Sequence, residues 1–188
     1  MLKRIWNFIW HDDSFLSWIV NIVLALILVK FVIYPGLGFI FDTTHPLVAV
    51  VSGSMEHNNL DFNEWWLKNG PWYENHDIKK DSFALFSFKN GFGRGDIMIL
   101  RGTNKLEVGD VVVFMRNDGA QVPVIHRIVV IDGRNRINYS TKGDNNYDRD
   151  PWTVDKILGK AILRIPYLGY VKIFFVDSVL TPFKRFFL

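Results

Sequence analysis

The chain has 188 residues, a formal net charge of +3 and no cysteine. That length fits one domain with an appendage. No Lys/Arg block interleaves with aromatics, which excludes a nucleic-acid groove. The lack of cysteine excludes disulfide staples, thiolate chemistry and cysteine-ligated zinc. Hydrophobic residues make up 49%, with sixteen Phe and seven Trp, a surplus for a small soluble domain that points to lipid contact.

Residues 1–13 are short and mixed, with Lys3 and Arg4 near the start. The stretch 14–34 contains FLSWIVNIVLALILVKFVIY, which as a helix rising ~1.5 Å per residue spans the ~30 Å hydrocarbon core. Its apolar character all round argues against a buried core helix, and no small-residue cleavage site follows it. It is expected to be an uncleaved anchor, with Asn21 tolerated and Lys30 snorkelling. Lys3 and Arg4 precede the span, and after Lys30 no basic residue occurs until Lys68. The positive-inside rule therefore places the N-terminus in the cytoplasm and the rest outside. Pro35, Gly36 and Gly38 are expected to break the helix and open a connector, 35–45.

A β-prone run from Pro46 then delivers the Ser52-Gly53-Ser54 turn, where Gly53 allows a sharp bend. Residues 62–95 are rich in aromatics, including Trp65, Trp66, Trp72, Tyr73, Phe83 and Phe86, with turns expected at Asn69-Gly70-Pro71 and Asn90-Gly91. Two readings stand side by side: contact with the bilayer interface, or a small satellite core. From Gly95 to Ile165 short strands alternate with Gly, Asp and Asn turns, Asp118-Gly119 and Asp132-Gly133 among them. The expected fold is mainly β and barrel-like, since strand edges need closing or covering. The tail, 165–188, is apolar but interrupted by Lys172, Asp177 and Pro182, which favours an interfacial helix over a second span. Lys184 and Arg185 keep the second span open.

A serine hydroxyl needs an adjacent base to act as a nucleophile. Ser54 at the end of its strand, His126 inside VIHRIVV and Asp144 in the KGDNN turn supply a nucleophile, a base and an orienter of that base. Asp148 and Asp150 follow in the same loop, and Glu56 reads as scaffolding. His57, His76 and His126 lack the H-E-x-x-H spacing of a zinc peptidase, so neither a metal nor any other cofactor is expected.

Four blocks in order, SGSME (52–56), GDVVVF (109–114), HRIV (126–129) and TKGDNN (141–146), resemble the type I signal peptidases. His126 stands where the bacterial branch has a lysine, so the likeness is to the archaeal and endoplasmic-reticulum branch. The length of 62–95 resembles the archaeal insertion, which favours a cell membrane over an endoplasmic reticulum. The resemblance implies a signal-peptidase-like β-barrel in 46–164 and a serine endopeptidase that removes signal peptides from preproteins after small residues. It implies Asp150 as a further required carboxylate, and an oxyanion hole from the Ser54 N–H and the Ser52 hydroxyl. It also implies a substrate-binding edge from Pro46, Leu47, Val48, Ala49, Val50 and Val51. Partners would be preproteins, membrane lipid and the translocation machinery. The rival readings are an inactive anchored β-domain of a processing complex and a self-cleaving repressor. Against the second stand the anchor and His126, since such repressors are soluble and use lysine.

Overall fold

The computed structural model describes residues 2–118, 122–133, 137–152 and 154–170. Helix α1 spans Leu2–His11. Helix α2, Phe15–Leu28, starts at the N-cap Ser14, whose side chain accepts from the Ser17 N–H. A π-helical turn, Val29–Ile33, joins it to α3, Tyr34–Ile40. Pro35 was expected to end the helix and does not. The π turn carries the i→i+5 bond from the Tyr34 N–H to the Val29 carbonyl. Pro35 follows at the start of the next α-helical segment, where its missing N–H and ring do least harm. The apolar helix thus runs from Phe15 to Ile40, 26 residues, about 39 Å. It is long and apolar enough to cross a membrane.

The chain then docks onto a six-stranded antiparallel sheet of order β1-β2-β6-β3-β4-β5. The strands are β1 Leu47–Ala49, β2 Ile97–Arg101, β3 Val111–Arg116, β4 Val124–Asp132, β5 Asn138–Lys142 and β6 Val154–Ile165. The Gly102 N–H donates to the Phe41 carbonyl at 2.8 Å, and the Thr43 hydroxyl donates to the Leu158 carbonyl at 2.7 Å. These bonds seat the end of the helix on β2 and β6. Long β6 pairs with both β2 and β3 through three irregularities of register, which bend it across the sheet.

Strand β3 is buried on both faces. Val111 and Val113 enter a core with Val50, Met55, Met98, Leu100 and Ile125. Val112 and Phe114 enter a second with Ile128, flanked by Tyr139 and Trp152. A continuous Val-Val-Val-Phe run is what a strand covered on both sides requires.

The aromatic insert forms α4, Phe62–Glu74, and α5, Lys80–Ala84. Asp61 and Glu64 make a reciprocal capping box at the start of α4. The turn expected at Asn69-Gly70-Pro71 lies inside α4. There Gly70 lets the Trp66 indole lie against the backbone, since a Cβ would meet it at 2.5 Å. Trp65, Trp66, Tyr73, Ile78 and Phe83 pack with Val129 of β4 in a third core. This is the satellite core of the two readings. The burial of this aromatic cluster outweighs the local cost of Pro71. Asn90-Gly91 does turn, with Gly91 at φ 69° and its N–H on the Phe88 carbonyl. In the tail, 165–188, only the first residues are described. Gly169 donates to the Gly95 carbonyl, and the interfacial helix expected there lies outside the described residues.

Candidate active site

Three elements carry the hydroxyl, the imidazole and the carboxylate. Strand β1 continues through Val50, which pairs with Asp96 and Gly95, and releases the chain into the Ser52–Ser54 turn. Strand β4 presents His126, 5% exposed and in register with Val112. The loop after β5 returns Asp150, whose N–H donates to the Thr141 carbonyl at 2.7 Å.

The Ser54 Oγ lies 3.0 Å from His126 Nε2, and His126 Nδ1 lies 2.6 Å from Asp150 Oδ2. The Thr141 hydroxyl donates to the same Asp150 oxygen at 2.6 Å. With Nδ1–H donated to the carboxylate, Nε2 keeps its lone pair and faces the serine. The Ser52 hydroxyl stands 3.2 Å from the Ser54 hydroxyl. Sequence reasoning favoured Asp144 for holding the His126 ring and left Asp150 open as the alternative. The structure corrects the preference: Asp150 occupies that place, because Asp144 is turned inward and bonded to Arg127 and Tyr73.

Asp144 is completely buried. Its Oδ1 accepts from Arg127 Nε at 2.9 Å and from the Tyr73 hydroxyl at 3.0 Å, and its Oδ2 accepts from Arg127 Nη2 at 2.7 Å. His57 Nε2 stands 3.4 Å from Oδ2, with its ring stacked on Trp65 at 3.9 Å. Burial works to raise the Asp144 carboxyl, but the Arg127 charge and its hydrogen bonds, helped by His57, hold it well below the usual carboxylate range. Burial also pushes the Tyr73 phenol up, reinforced by the Asp144 charge. Arg127 further donates to the carbonyls of Ser87, Phe88 and Gly109. This buried guanidinium therefore ties β4 to the insert, and its charge is compensated as burial demands.

The same loop grips the serine turn. The Asn145 N–H donates to the Ser54 carbonyl at 2.8 Å, and its side-chain amide donates to the Gly53 carbonyl. Gly143 makes this approach possible, since a Cβ there would meet the Ser54 carbonyl oxygen at 2.7 Å. Gly53 turns the chain as expected, its carbonyl accepting from the Glu56 N–H, and a Cβ there would meet the Glu56 carboxylate at 3.0 Å. Glu56 in turn accepts from the Arg94 N–H.

Next to Ser54 and His126 opens a cavity of about 280 Å³, lined by Val48, Val50, Val113, Val122 and Ile125. β1 is an edge of the sheet, so its outer side is free of a strand partner among the described residues. Of the expected substrate-binding run, Val48 to Val51 line this cavity, and Leu47 pairs with Ile99 on β2. The Pro46 carbonyl accepts from the Leu100 N–H. A larger cavity of about 580 Å³ lies away from Ser54, between Thr43, Gly102, Tyr139 and Lys156.

The three histidines do not converge. His57 sits with Asp144, His126 with Ser54, and His76 stacks on Trp72 at 3.9 Å. Among the described residues no group of three or more His, Asp or Glu side chains is placed to hold a metal ion. Sequence reasoning missed Arg127, Thr141, Lys142 and the roles of Tyr73 and His57. One signal was available: an arginine inside a strongly apolar β run is buried only if a carboxylate meets it.

No protein-family model matches the chain. It is 31% identical over 163 residues to the signal peptidase complex catalytic subunit SEC11 of Fusarium vanettenii, covering 79% of this chain and 75% of that protein. The protein of the same name from Colletotrichum graminicola is 30% identical over the same shares, and that from Leptosphaeria maculans is 27% identical over 85% and 80%. These relatives are fungal and give the archaeal assignment no support. At 31% identity over 79% of its length, the chain belongs to the family of the signal peptidase complex catalytic subunit.

Proposed function

We propose that the chain is a membrane-bound serine endopeptidase that removes signal peptides from preproteins, with Ser54 as nucleophile, His126 as base and Asp150 as its orienter. The single observation that carries this is the unbroken line from the Ser54 hydroxyl through the His126 ring to the Asp150 carboxylate, at 3.0 and 2.6 Å.

In this reading an extended peptide adds along the free edge of β1, and a small side chain enters the shallow apolar cavity between Val50 and Ile125. The Ser54 Oγ attacks the scissile carbonyl as His126 Nε2 takes its proton. Asp150 stabilises the imidazolium that forms. The developing oxyanion is met by the Ser54 N–H and the Ser52 hydroxyl, each such donor contributing on the order of 10²–10³ in rate. His126 then protonates the departing amine, and the mature protein leaves an acyl-enzyme on Ser54. Water attacks that ester as His126 again takes a proton, and the freed Ser54 recovers it. Asp144 acts at one remove, holding the loop that carries Asp150 and the amide that grips the Ser54 carbonyl.

Phe15–Ile40 serves as the membrane span, with the β domain on the extracytoplasmic side. The membrane in this reading is a cell membrane, on the strength of the insert alone; fractionation of cells expressing the chain decides it against an endoplasmic reticulum. The relatives are named as subunits of a complex, and partner subunits enter this reading on that ground.

The test is cleavage of a model preprotein by membranes carrying the wild type, Ser54→Ala and His126→Ala. Cleavage that persists in strong chelator and disappears in both variants is expected. Near-normal cleavage by either variant rejects the mechanism, and so does full activity of His126→Lys. No cleavage by the wild type, with a folded β domain, favours the inactive-subunit reading.

A further inference from the structure

Residues 2–11 are mixed in composition, yet as helix α1 they sort into two faces. Ile5, Trp6, Ile9 and Trp10 recur at positions that share one side of a helix. Lys3, Arg4, Asn7 and His11 share the other. Ile5, Trp6 and Trp10 are more than half exposed, and the two indoles lie side by side with ring centroids 5.6 Å apart. Ten residues reach only about 15 Å, too short to cross a bilayer.

The last carbonyls of a helix have no donors within it. Two of those in α1 find theirs on α2. The Ser17 hydroxyl donates to the Phe8 carbonyl at 2.6 Å, and the Asn21 amide donates to the Ile9 carbonyl at 3.0 Å. Ser17 is buried by this contact. Asn21, an amide inside an otherwise apolar helix, thereby has a partner. Ser17 and Asn21 both lie within about 9 Å of the start of α2 along its axis. The carbonyl end of α1 is therefore pinned beside the first two turns of the apolar helix, the depth at which headgroups give way to acyl chains.

We propose that α1 is an in-plane membrane helix, its Ile5–Trp6–Ile9–Trp10 face seated in the headgroup–acyl boundary of an anionic leaflet at the point where α2 enters. The proposal rests on the reading of Phe15–Ile40 as a membrane span. Lipid is the occupant because the exposed apolar face is joined by a three-residue link, Asp12–Ser14, to a helix that itself requires lipid. Tryptophan favours that boundary. Anionic lipid is specified because Lys3 and Arg4 sit together on the polar face in the first turn of α1, with Asp12 and Asp13 about 12 Å further along in the link. The far end of the same apolar helix is bonded to β2 and β6 through Phe41 and Thr43. Fixing the depth of its start consequently sets the height of the β domain, and with it Ser54, over the opposite face.

The chain contains no cysteine, so single spin labels can be placed cleanly at Ile5→Cys, Asn7→Cys and Leu24→Cys. Each labelled full chain is reconstituted into phosphatidylcholine vesicles with and without phosphatidylserine. Collision rates with oxygen and with a water-soluble nickel chelate are then measured. The oxygen-to-nickel ratio at Ile5 is expected to exceed that at Asn7 several-fold, with the Leu24 label shielded from nickel. The contrast should grow with phosphatidylserine, lose that growth in the Lys3→Gln, Arg4→Gln double variant, and shrink in the Ser17→Ala, Asn21→Leu double variant. A nickel-accessible Leu24 label overturns the span reading and this proposal with it. A shielded Leu24 label overturns the in-plane helix alone if the Ile5 and Asn7 labels are equally open to nickel, or equally closed to both reagents as under a protein partner. A contrast that ignores phosphatidylserine overturns the choice of anionic lipid.

Discussion

Asp144 and Asp150 sit on one loop, and they keep different company. Asp150 shares its carboxylate between an imidazole and a threonine hydroxyl, beside a serine and an open cavity. Asp144 is sealed among a guanidinium, a phenol and a stacked histidine. A guanidinium does not titrate in a protein, and it holds Asp144 at 2.9 and 2.7 Å, closer than His57 at 3.4 Å, whereas Asp150 bonds the one imidazole that faces the Ser54 hydroxyl. One carboxylate is therefore coupled to proton movement, and the other is locked into a permanent charge pair. The partner decides which work the same side chain can do.

Substitution should cost most at Asp150. Asp150→Asn keeps the shape but no longer fixes the His126 tautomer, so Nε2 ceases to present a lone pair to Ser54. A fall in kcat of about 10⁴ is expected, as for the equivalent change in other serine peptidases. KM should be little changed, and the melting temperature should stay within a few degrees. Steady-state kinetics on a model preprotein, with thermal unfolding in the same detergent, checks this. A near-normal Asp150→Asn enzyme beside an inactive but well-folded Asp144→Asn one would exchange the two roles.

The second effect is on stability. Asp144→Asn leaves the buried Arg127 charge uncompensated, which costs about 3–5 kcal/mol, or roughly 6–20 °C in melting temperature for a chain of this size. Adding Arg127→Met removes the orphaned charge and should recover much of the loss. The pH dependence has the same origin. The folded-state pKa of Asp144 is depressed, so its contribution is fully present above the unfolded value of about 3.9 and is lost as pH falls through the folded one. Acid unfolding of the wild type should therefore steepen below about pH 4, and Asp144→Asn with Arg127→Met should flatten that limb.

The serine and histidine were legible in sequence because each stands in a local block, and a strand ending in a Gly turn or an alternating β run can be read within a few residues. The choice between two aspartates was not legible. Both follow a turn, and what separates them is Arg127 on the neighbouring strand together with Tyr73 from an insert 71 residues away. The continuous helix through Pro35 was hidden for a related reason: a π turn, Val29–Ile33, absorbs the disruption, and no residue type announces a π turn. The insert was legible as aromatic. Its helices were not, because Asn69-Gly70-Pro71 signals a turn locally while Trp65, Trp66, Tyr73 and Phe83 need α4 and α5 to pack together.

Lys142 belongs to the sealed side. It is 1% exposed, donates to the Gly143 carbonyl, and lies 5.0 and 4.8 Å from the Trp72 and Tyr73 ring centres. Burial pushes its ammonium down to about 8, against the charges of Asp144, Asp148 and Asp150, which hold it up. With the folded value below the unfolded value of about 10.4, the unfolded chain binds more protons between the two. Stability from this residue should therefore rise with pH across that window. The difference in melting temperature between wild type and Lys142→Met, followed from pH 8 upward, should shift in favour of the wild type. A difference independent of pH would mean that the lysine is charged in the fold throughout.

Two conservative substitutions in the insert ask whether it touches catalysis at all. Tyr73→Phe removes one hydrogen bond to a buried charged carboxylate, worth about 1.5–3 kcal/mol, and Arg127 still satisfies Asp144. Trp72→Phe removes a bond to Asp148 but keeps an aromatic ring against His76 and Lys142, a change of about 0.5–1 kcal/mol, at the low end of point-mutant effects. A graded loss of melting temperature is expected, larger for Tyr73 than for Trp72, with kcat unchanged in both because neither side chain bonds His126 or Asp150. A Tyr73→Phe enzyme that melts normally but turns over a hundredfold more slowly would place the phenol on the proton path. The separation between the two carboxylates would then dissolve, since a change confined to the sealed pocket would have reached Ser54 without passing through the fold.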